Sequence, residues 1–411
     1  MFQKPKGTVD ILPEETVIWH KMEEIIRDCT KNAGFHEIRI PTFELSGVYK
    51  RGVGQTTDIV QKEMFTLSDR GDNTEMCLRP EGTAGVVRSV IENGLYNEAM
   101  PLKLYYIGPF FRYEKPQAGR SREFYQFGVE MFGADSAYAD ASVISSKVLD
   151  KIGVGTSLHI NSIGCPKCRP LYRQALVDYF EGKKEELCPT CRERLKTNPL
   201  RILDCKSPIC SETAAGAPKT IDYLCEDCGA HFNALKESLT ALEIPYTVDP
   251  KIVRGLDYYV RTVFEFISED IGAQSTVCGG GRYDGLVEQL DGPKLGGIGF
   301  GMGLTRLALA LKTLAGEGKT TLPVNASPAL YIAPMGEKAA VYALATVEKL
   351  RNKGIYAECD IASRSLKAQM KYADKIGAEY VLVVGDNELE SGKALLKNMR
   401  DKDDRREVEL G

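Results

Sequence analysis

Arg112 opens a stretch, Pro109 to Gly133, in which Lys115, Arg120 and Arg122 follow it and Gln126 and Glu130 close it. A carboxylate, an amide and an arginine brought together are costly to strip of water unless something pairs with them. The group therefore reads either as a site converging on one ligand or as the solvated face of an amphipathic hairpin. A second polar cluster, Arg79-Pro80-Glu81-Gly82-Thr83-Ala84-Gly85, stands before a helical run. There a carboxylate, a hydroxyl and unpaired backbone N–H groups can meet a ligand, or Thr83 simply caps the helix. Further on come Arg254-Gly255-Leu256-Asp257-Tyr258-Tyr259, the run Cys278-Gly279-Gly280-Gly281-Arg282-Tyr283-Asp284-Gly285, and Gly296 to Arg306 with glycine at 297, 299, 301 and 303. Alternating glycines leave room for a flat ring on a strand, and Arg306 just beyond suits a phosphate. A glycine kink in a crowded sheet is the plainer alternative.

Eight of the twelve cysteines fall between Cys165 and Cys228, as Cys165/Cys168, Cys188/Cys191, Cys205/Cys210 and Cys225/Cys228. Paired turns of this kind chelate Zn²⁺ as thiolates in a reducing compartment, where a disulfide framework does not persist. Spacing leaves the pairing open, although the interval from Cys168 to Cys188 is one that a single four-cysteine site accepts. Unligated thiols are the competing reading. His36 reads as a surface histidine, and His20, His159 and His231 sit in no cluster with an acid or a nucleophile, so a histidine-based nucleophilic mechanism has no support.

The elements that must position these residues follow from periodicity. Apolar residues at Val17, Ile18, Met22, Ile25 and Ile26 predict a helix over about 14–33, ended by Gly34, and Phe35 to Pro41 reads as a proline-ended strand suited to an edge or interface. Phe110 to Arg112 and Phe124 to Glu130 read as antiparallel strands joined by a loop at 116–119, with Gln126, Gly128 and Glu130 on one face and Phe127 and Val129 on the other. At 411 residues several domains are expected. With 43% hydrophobic and 27% charged residues, a formal charge of −4, no run of about 18 apolar residues and no apolar stretch behind the first lysines, the expectation is a cytoplasmic globular protein without a membrane segment. From residue 329 onward strands and helices alternate, which predicts a parallel or mixed sheet. Arg364, Lys367, Lys371 and Lys375 stand there at helical intervals, a stripe that is either a solvated face or a phosphate contact.

The proline-ended strand, the arginine hairpin and the glycine strand with its arginine, in that order, resemble motifs 1, 2 and 3 of the class II aminoacyl-tRNA synthetases. The opening KGTVDILP, RPEGTAG at 79–85, RGLDYY at 254–259 and GGGRYDGL at 279–286 narrow the resemblance to the histidyl-tRNA synthetases over nearly the whole chain. It implies an α+β fold. A catalytic antiparallel sheet flanked by helices would span 1–163 and 244–323, with a cysteine-rich insertion domain at 164–243, a linker at 324–328 and an α/β anticodon-binding domain at 329–411. It implies ATP with Mg²⁺, L-histidine and tRNA(His) as substrates, and a homodimer. Arg112, Arg254 and Arg306 would be catalytic, and Arg112, Arg306, Gly301 and Gly303 would hold ATP. Glu81, Thr83, Gln126, Glu130, Tyr258 and Tyr259 would bind histidine, while Lys115, Gln117, Arg120, Arg122, Arg364, Lys367, Lys371 and Lys375 would meet tRNA. The insertion is expected to be clamped by a structural metal and to support the acceptor stem with Lys183, Lys184, Arg192, Arg194, Lys196 and Arg201, so that losing the metal spares ATP–pyrophosphate exchange. A non-catalytic paralogue, the regulatory subunit of ATP phosphoribosyltransferase, is the alternative.

Overall fold

The computed structural model describes residues 2–410 except 56, 69–73, 118, 206, 269–275 and 402. Two compact units meet in sequence at Pro323. In the first, the helix Pro13–Asn32 begins with proline in its first turn and with Glu14 and Glu15 opposite the positive end of the helix dipole. Its buried residues Ile18, Trp19, Met22, Ile26 and Thr30 recur at three- and four-residue intervals, as a core-facing stripe requires. Gly34, at φ +75°, turns the chain away. The expected strand from Phe35 to Pro41 is shorter than predicted: only His36–Glu37 pairs, parallel to Leu102–Phe111 and at the sheet edge. The carbonyls of Ile40 and Pro41 go instead to the Arg79 guanidinium, at 2.6 and 3.3 Å.

The main sheet has eight strands in the order His36–Glu37, Leu102–Phe111, Glu123–Phe132, Gly297–Gly303, Thr276–Arg282, Val260–Ile267, Ser157–Ser162 and Tyr246–Val248. Its six central strands are antiparallel and each outer strand joins in parallel. Across the hairpin and glycine strands, Gln126 stands between Gly108 and Gly303, Gly128 between Tyr106 and Gly301, and Glu130 between Leu104 and Gly299. Alternation follows the sequence expectation. Phe127, Val129 and Met131 enter one apolar core with Trp19, Met22 and the helix Leu304–Gly316, while Tyr106, Phe110, Phe132 and Tyr283 form the other with the helix Thr83–Glu92.

Within 164–243, Tyr172, Leu176, Phe180, Leu187, Leu195 and Ile202 build a small core of their own. The helix Glu226–Ala241 stays outside it, burying Phe232, Leu235 and Leu239 in the core of the main sheet. The cysteine-rich stretch accordingly does not separate as a compact unit; its last helix needs more apolar surface than so small a core offers.

The second unit, Val324–Gly411, holds five strands in the order Ala357–Cys359, Leu330–Pro334, Tyr380–Val384, Lys393–Asn398 and Arg405–Glu409. The first three are parallel and the last two antiparallel. No helix among the described residues is long and apolar enough to cross a membrane.

Candidate active site

Arg112, Gln126, Arg254, Gly301, Gly303 and Arg306 line one cavity of about 330 Å³. Arg254 precedes the strand Val260–Ile267 and pairs with Glu265 on it, while Glu265 also accepts the Thr276 hydroxyl at 2.9 Å. Burial works against the Arg254 charge, but the adjacent Glu265 carboxylate outweighs it and raises the guanidinium pKa. Arg254 Nε is buried without a hydrogen-bond partner. The guanidinium fits because position 279 is glycine: a Cβ there would sit 2.5 Å from Arg254 Nη1. Arg112 donates Nε to the Pro80 carbonyl at 2.9 Å and lies over the Phe124 ring at 5.3 Å. Arg306 donates to the carbonyls of Gly119 and Thr276, at 3.1 and 2.6 Å. Burial, and then the charges of Arg120 and Arg112, lower its pKa. Guanidinium groups crowded around one space repel one another, and a polyanion entering that space relieves them.

The glycine strand serves two purposes. A Cβ on Gly301 would meet only the Gln126 side chain, at 3.4 Å, so the strand is open to the cavity there, whereas one on Gly299 would lie 2.1 Å from Glu130 Oε2. Glu81, Thr83, Glu130, Tyr258 and Tyr259 do not line this cavity among the described residues; all five are buried. Glu81 accepts the N–H groups of Thr83 and Ala84 at 2.9 and 2.8 Å, so Glu81, rather than Thr83, caps the helix. The Thr83 hydroxyl is thereby released to Glu130 Oε1 at 2.7 Å, and Tyr258 donates to Glu81 Oε2 at 3.3 Å. Burial pushes the Glu130 pKa up to about 8, against hydrogen bonds from Tyr283 and Thr83 that favour the anion.

Sequence reading missed three residues here. Tyr283 donates its hydroxyl to Glu130. Tyr106 fills the space left by Gly82 and Gly128, where a Cβ would come within 2.2 and 2.3 Å of its ring. Glu265 holds Arg254. Tyr283 lies inside the GGGRYDGL run and was within reach of inspection; Tyr106 and Glu265 become visible only through strand register. A fourth correction concerns His231, whose Nε2 lies 2.7 Å from Asp140 Oδ2 in a buried group with Arg282, and His159 also has an acid, Asp249, at 3.7 Å. Ser157 Oγ stands 3.2 Å from His159 Nε2, but that hydroxyl also donates to the Ile267 carbonyl at 3.4 Å, and none of Ser157, His159 and Asp249 lines the cavity.

The residues expected to meet tRNA divide. Lys115, Gln117, Lys367, Lys371 and Lys375 are exposed. Arg120 lines the cavity and pairs with Glu114 at 3.1 Å, and Arg122 stacks on Tyr113 at 3.8 Å. Arg364 stands before the helix Leu366–Lys375 rather than on its face, because Asp360 takes its guanidinium at 2.8 Å and Tyr372 lies beneath it. Arg194 and Arg201 also turn inward, both to Asp58, at 3.0 and 3.4 Å.

The eight cysteines form two groups of four, Cys165/Cys168/Cys225/Cys228 and Cys188/Cys191/Cys205/Cys210, with all ligand atoms in each within 4.8 Å of one another. The pairing suggested by the Cys168-to-Cys188 interval is not adopted, because the helix Glu226–Ala241 returns Cys225 and Cys228 to the first pair. Sulfur separations of 3.7, 3.8 and 4.0 Å occur across these groups. Four thiolates about 2.3 Å from a tetrahedral ion stand roughly 3.8 Å apart, so the donor sets fit zinc. Backbone N–H groups of Cys225 and Cys188 point at the sulfurs of Cys168 and Cys210, at 3.0 and 3.2 Å. Arg169, next to Cys168, donates to the Tyr259 carbonyl.

The antiparallel sheet with a helical layer on each face is the architecture of a class II synthetase. Residues 7–165 and 212–307 match the family described as histidyl-tRNA synthetase, and residues 329–411 match an anticodon binding domain. A histidine–tRNA ligase of Acetivibrio thermocellus is 53% identical over 97% of this chain and 95% of its own length. One from Caldanaerobacter subterraneus subsp. tengcongensis is 50% identical over 96% and 94%. The crystal structure of apo S. aureus histidyl-tRNA synthetase superposes with a TM-score of 0.83 at 39% identity, covering 100% of this chain and 98% of that one. The chain belongs to the histidyl-tRNA synthetase family.

Proposed function

We propose that this protein ligates L-histidine to tRNA(His) in two steps. A histidine carboxylate oxygen attacks the α-phosphorus of ATP, the bond to the β-phosphate oxygen breaks, and pyrophosphate leaves; a terminal ribose hydroxyl of the tRNA then attacks the acyl carbon and AMP departs. Such chemistry needs positioning and charge neutralisation and no covalent protein nucleophile. The observation that carries this reading is the convergence of Arg112, Arg254 and Arg306 on one cavity in a chain of this family. Arg112 holds the α-phosphate, Arg306 the γ-phosphate, and adenine lies over Gly301 and Gly303, with Mg²⁺ arriving on the nucleotide. Arg254 sits between carboxylate and α-phosphate, its unpartnered Nε supporting that role. Glu81, Thr83 and Gln126 take the ammonium, while Glu130 and Tyr259, with Tyr258 beside it, read the imidazole, whose two nitrogens suit a carboxylate and a phenol.

Zinc at the two cysteine groups stabilises the segment around them. Lys115, Gln117, Arg120 and Arg122 face the acceptor end, and Arg364 with Lys367, Lys371 and Lys375 face the anticodon arm. The protein works in the cytoplasm as a C2 homodimer. The edge strand His36–Glu37 and the exposed Phe43 and Leu45 nearby support that assembly. Charging of tRNA(His) with labelled histidine tests the function: acceptance of histidine alone is expected, and no acid-precipitable product from histidine, ATP and tRNA(His) would refute it.

A further inference from the structure

We propose that Arg201 is a positioning residue for adenylation and that a metal ion held by Cys188, Cys191, Cys205 and Cys210 is the clip that keeps it in place. The proposal rests on the assignment of Arg254 to adenylation above.

Arg201 lies in the turn Pro199–Ile202, between Cys191 and Cys205, so a closed four-thiolate site would fix its loop from both ends. Its guanidinium spans two segments: Nη1 donates to the Arg254 carbonyl at 3.2 Å and Nη2 to Asp58 Oδ2 at 3.4 Å. Arg194 shares Asp58 at 3.0 Å and donates Nη1 to the Arg201 carbonyl at 3.2 Å. Asn198 Nδ2 reaches Asp257 Oδ1 at 3.2 Å, and the Asp257 N–H donates to the Val53 carbonyl at 3.1 Å. Gly54 permits that approach, since at φ +103° it carries no Cβ, which would stand 2.6 Å from Asp257 Oδ2. Val53, Gly54 and Asp58, the stretch 194–204 and the stretch 253–257, distant in sequence, thus lock together.

Together these segments form one wall of the cavity, to which they contribute Ile59, Asp204, Val253, Arg254, Gly255 and Leu256. The Arg201 and Arg194 side chains are only 15% and 22% exposed, which suits a clamp better than a phosphate contact. The core beneath them is small, and such a core depends on a staple to hold its loops. Misplacing a reacting group by about 1 Å can cost on the order of 100-fold in rate. The backbone of Arg254 is tied to Arg201, so metal loss reaches the first chemical step. This is the opposite of what the family resemblance implies, namely that losing the metal spares exchange.

The test uses the full-length protein, with zinc content determined by elemental analysis and a thermal midpoint recorded for each variant. Histidine-dependent ATP–pyrophosphate exchange is measured for wild type, Arg254→Ala, Arg201→Met and Arg201→Lys, with and without prior metal removal by a chelator. Arg201→Met is expected to lower kcat about 10- to 100-fold while the histidine KM stays within about twofold. Arg201→Lys, which keeps an N–H for the Arg254 carbonyl, is expected to recover part of the rate. Stripping zinc should bring wild type down to the Arg201→Met level and cost Arg201→Met little more, because both changes break one link. Wild type without exchange would remove the underlying assignment and not this inference alone. Where wild type exchanges and Arg254→Ala does not, full kcat in Arg201→Met overturns the positioning role. A kcat that falls only in step with the thermal midpoint overturns it as well. Absence of bound zinc, or full kcat after stripping, overturns the clip.

Discussion

Arg254 keeps its charge in a half-buried place because Glu265 stands against it, and its Nε is buried without a hydrogen-bond partner. Replacing it with alanine is expected to lower histidine-dependent exchange by on the order of 100- to 1,000-fold, since a fixed cation acts on charge that develops in the transition state. An unchanged rate would remove it from the mechanism. Glu130 makes a different prediction. Its folded pKa, about 8, lies above the ordinary 4.5, so between these values the folded state holds a proton that the unfolded state has lost. Stability from this group is fully present below pH 4.5 and is lost as pH rises through 8. Ligand-free Glu130→Gln should therefore show a shallower decline of thermal midpoint between pH 5 and 8 than wild type; parallel curves would contradict the assignment. Arg112, Arg254 and Arg306 were legible as cavity residues from their motifs, and Gln126 from strand alternation. Glu265 and Tyr106 were not, since each gains its role from a residue that only sheet register brings opposite or alongside. The Asp140–His231 contact escaped notice for the same reason: its partners are far apart in the chain and meet through helix packing.

Among the elements, the two glycine-bearing strands show how a sheet makes room for chemistry. The strand Thr276–Arg282 seats Arg254 over Gly279, and Gly297–Gly303 shelters Glu130 at one end and opens to the cavity at the other. Gly279→Ala would set a methyl group 2.5 Å from Arg254 Nη1, so the guanidinium must swing. Exchange is expected to fall by on the order of tenfold or more while circular dichroism stays unchanged. A variant with normal kcat would show that the seat is not needed. Periodicity is local, so the sequence predicted the first helix to within a residue and the facing residues of the hairpin, but the hairpin's first strand runs Leu102–Phe111 and ends just before Arg112. It overextended the edge strand, whose carbonyls Arg79 captures, and left the cysteine pairing open. That pairing depends on the helix Glu226–Ala241 docking in the main core, a tertiary fact that spacing does not encode.

At the scale of the whole molecule, two units with separate cores imply separable duties. A chain ending at Pro323 is expected to retain histidine-dependent exchange but to charge tRNA(His) on the order of 100-fold less efficiently, since one of two linked binding modules is gone. Equal loss of both activities would argue that the second unit supports the first structurally. Sedimentation at micromolar concentration is expected to show a dimer of the 45.4 kDa chain, and a monomer would contradict the edge-strand interface. Activation of histidine on ATP is tested by exchange of labelled pyrophosphate into ATP, with L-histidine, ATP and Mg²⁺ and no tRNA. Exchange that requires histidine and is not sustained by other amino acids is expected. Saturable histidine binding with no exchange would contradict it.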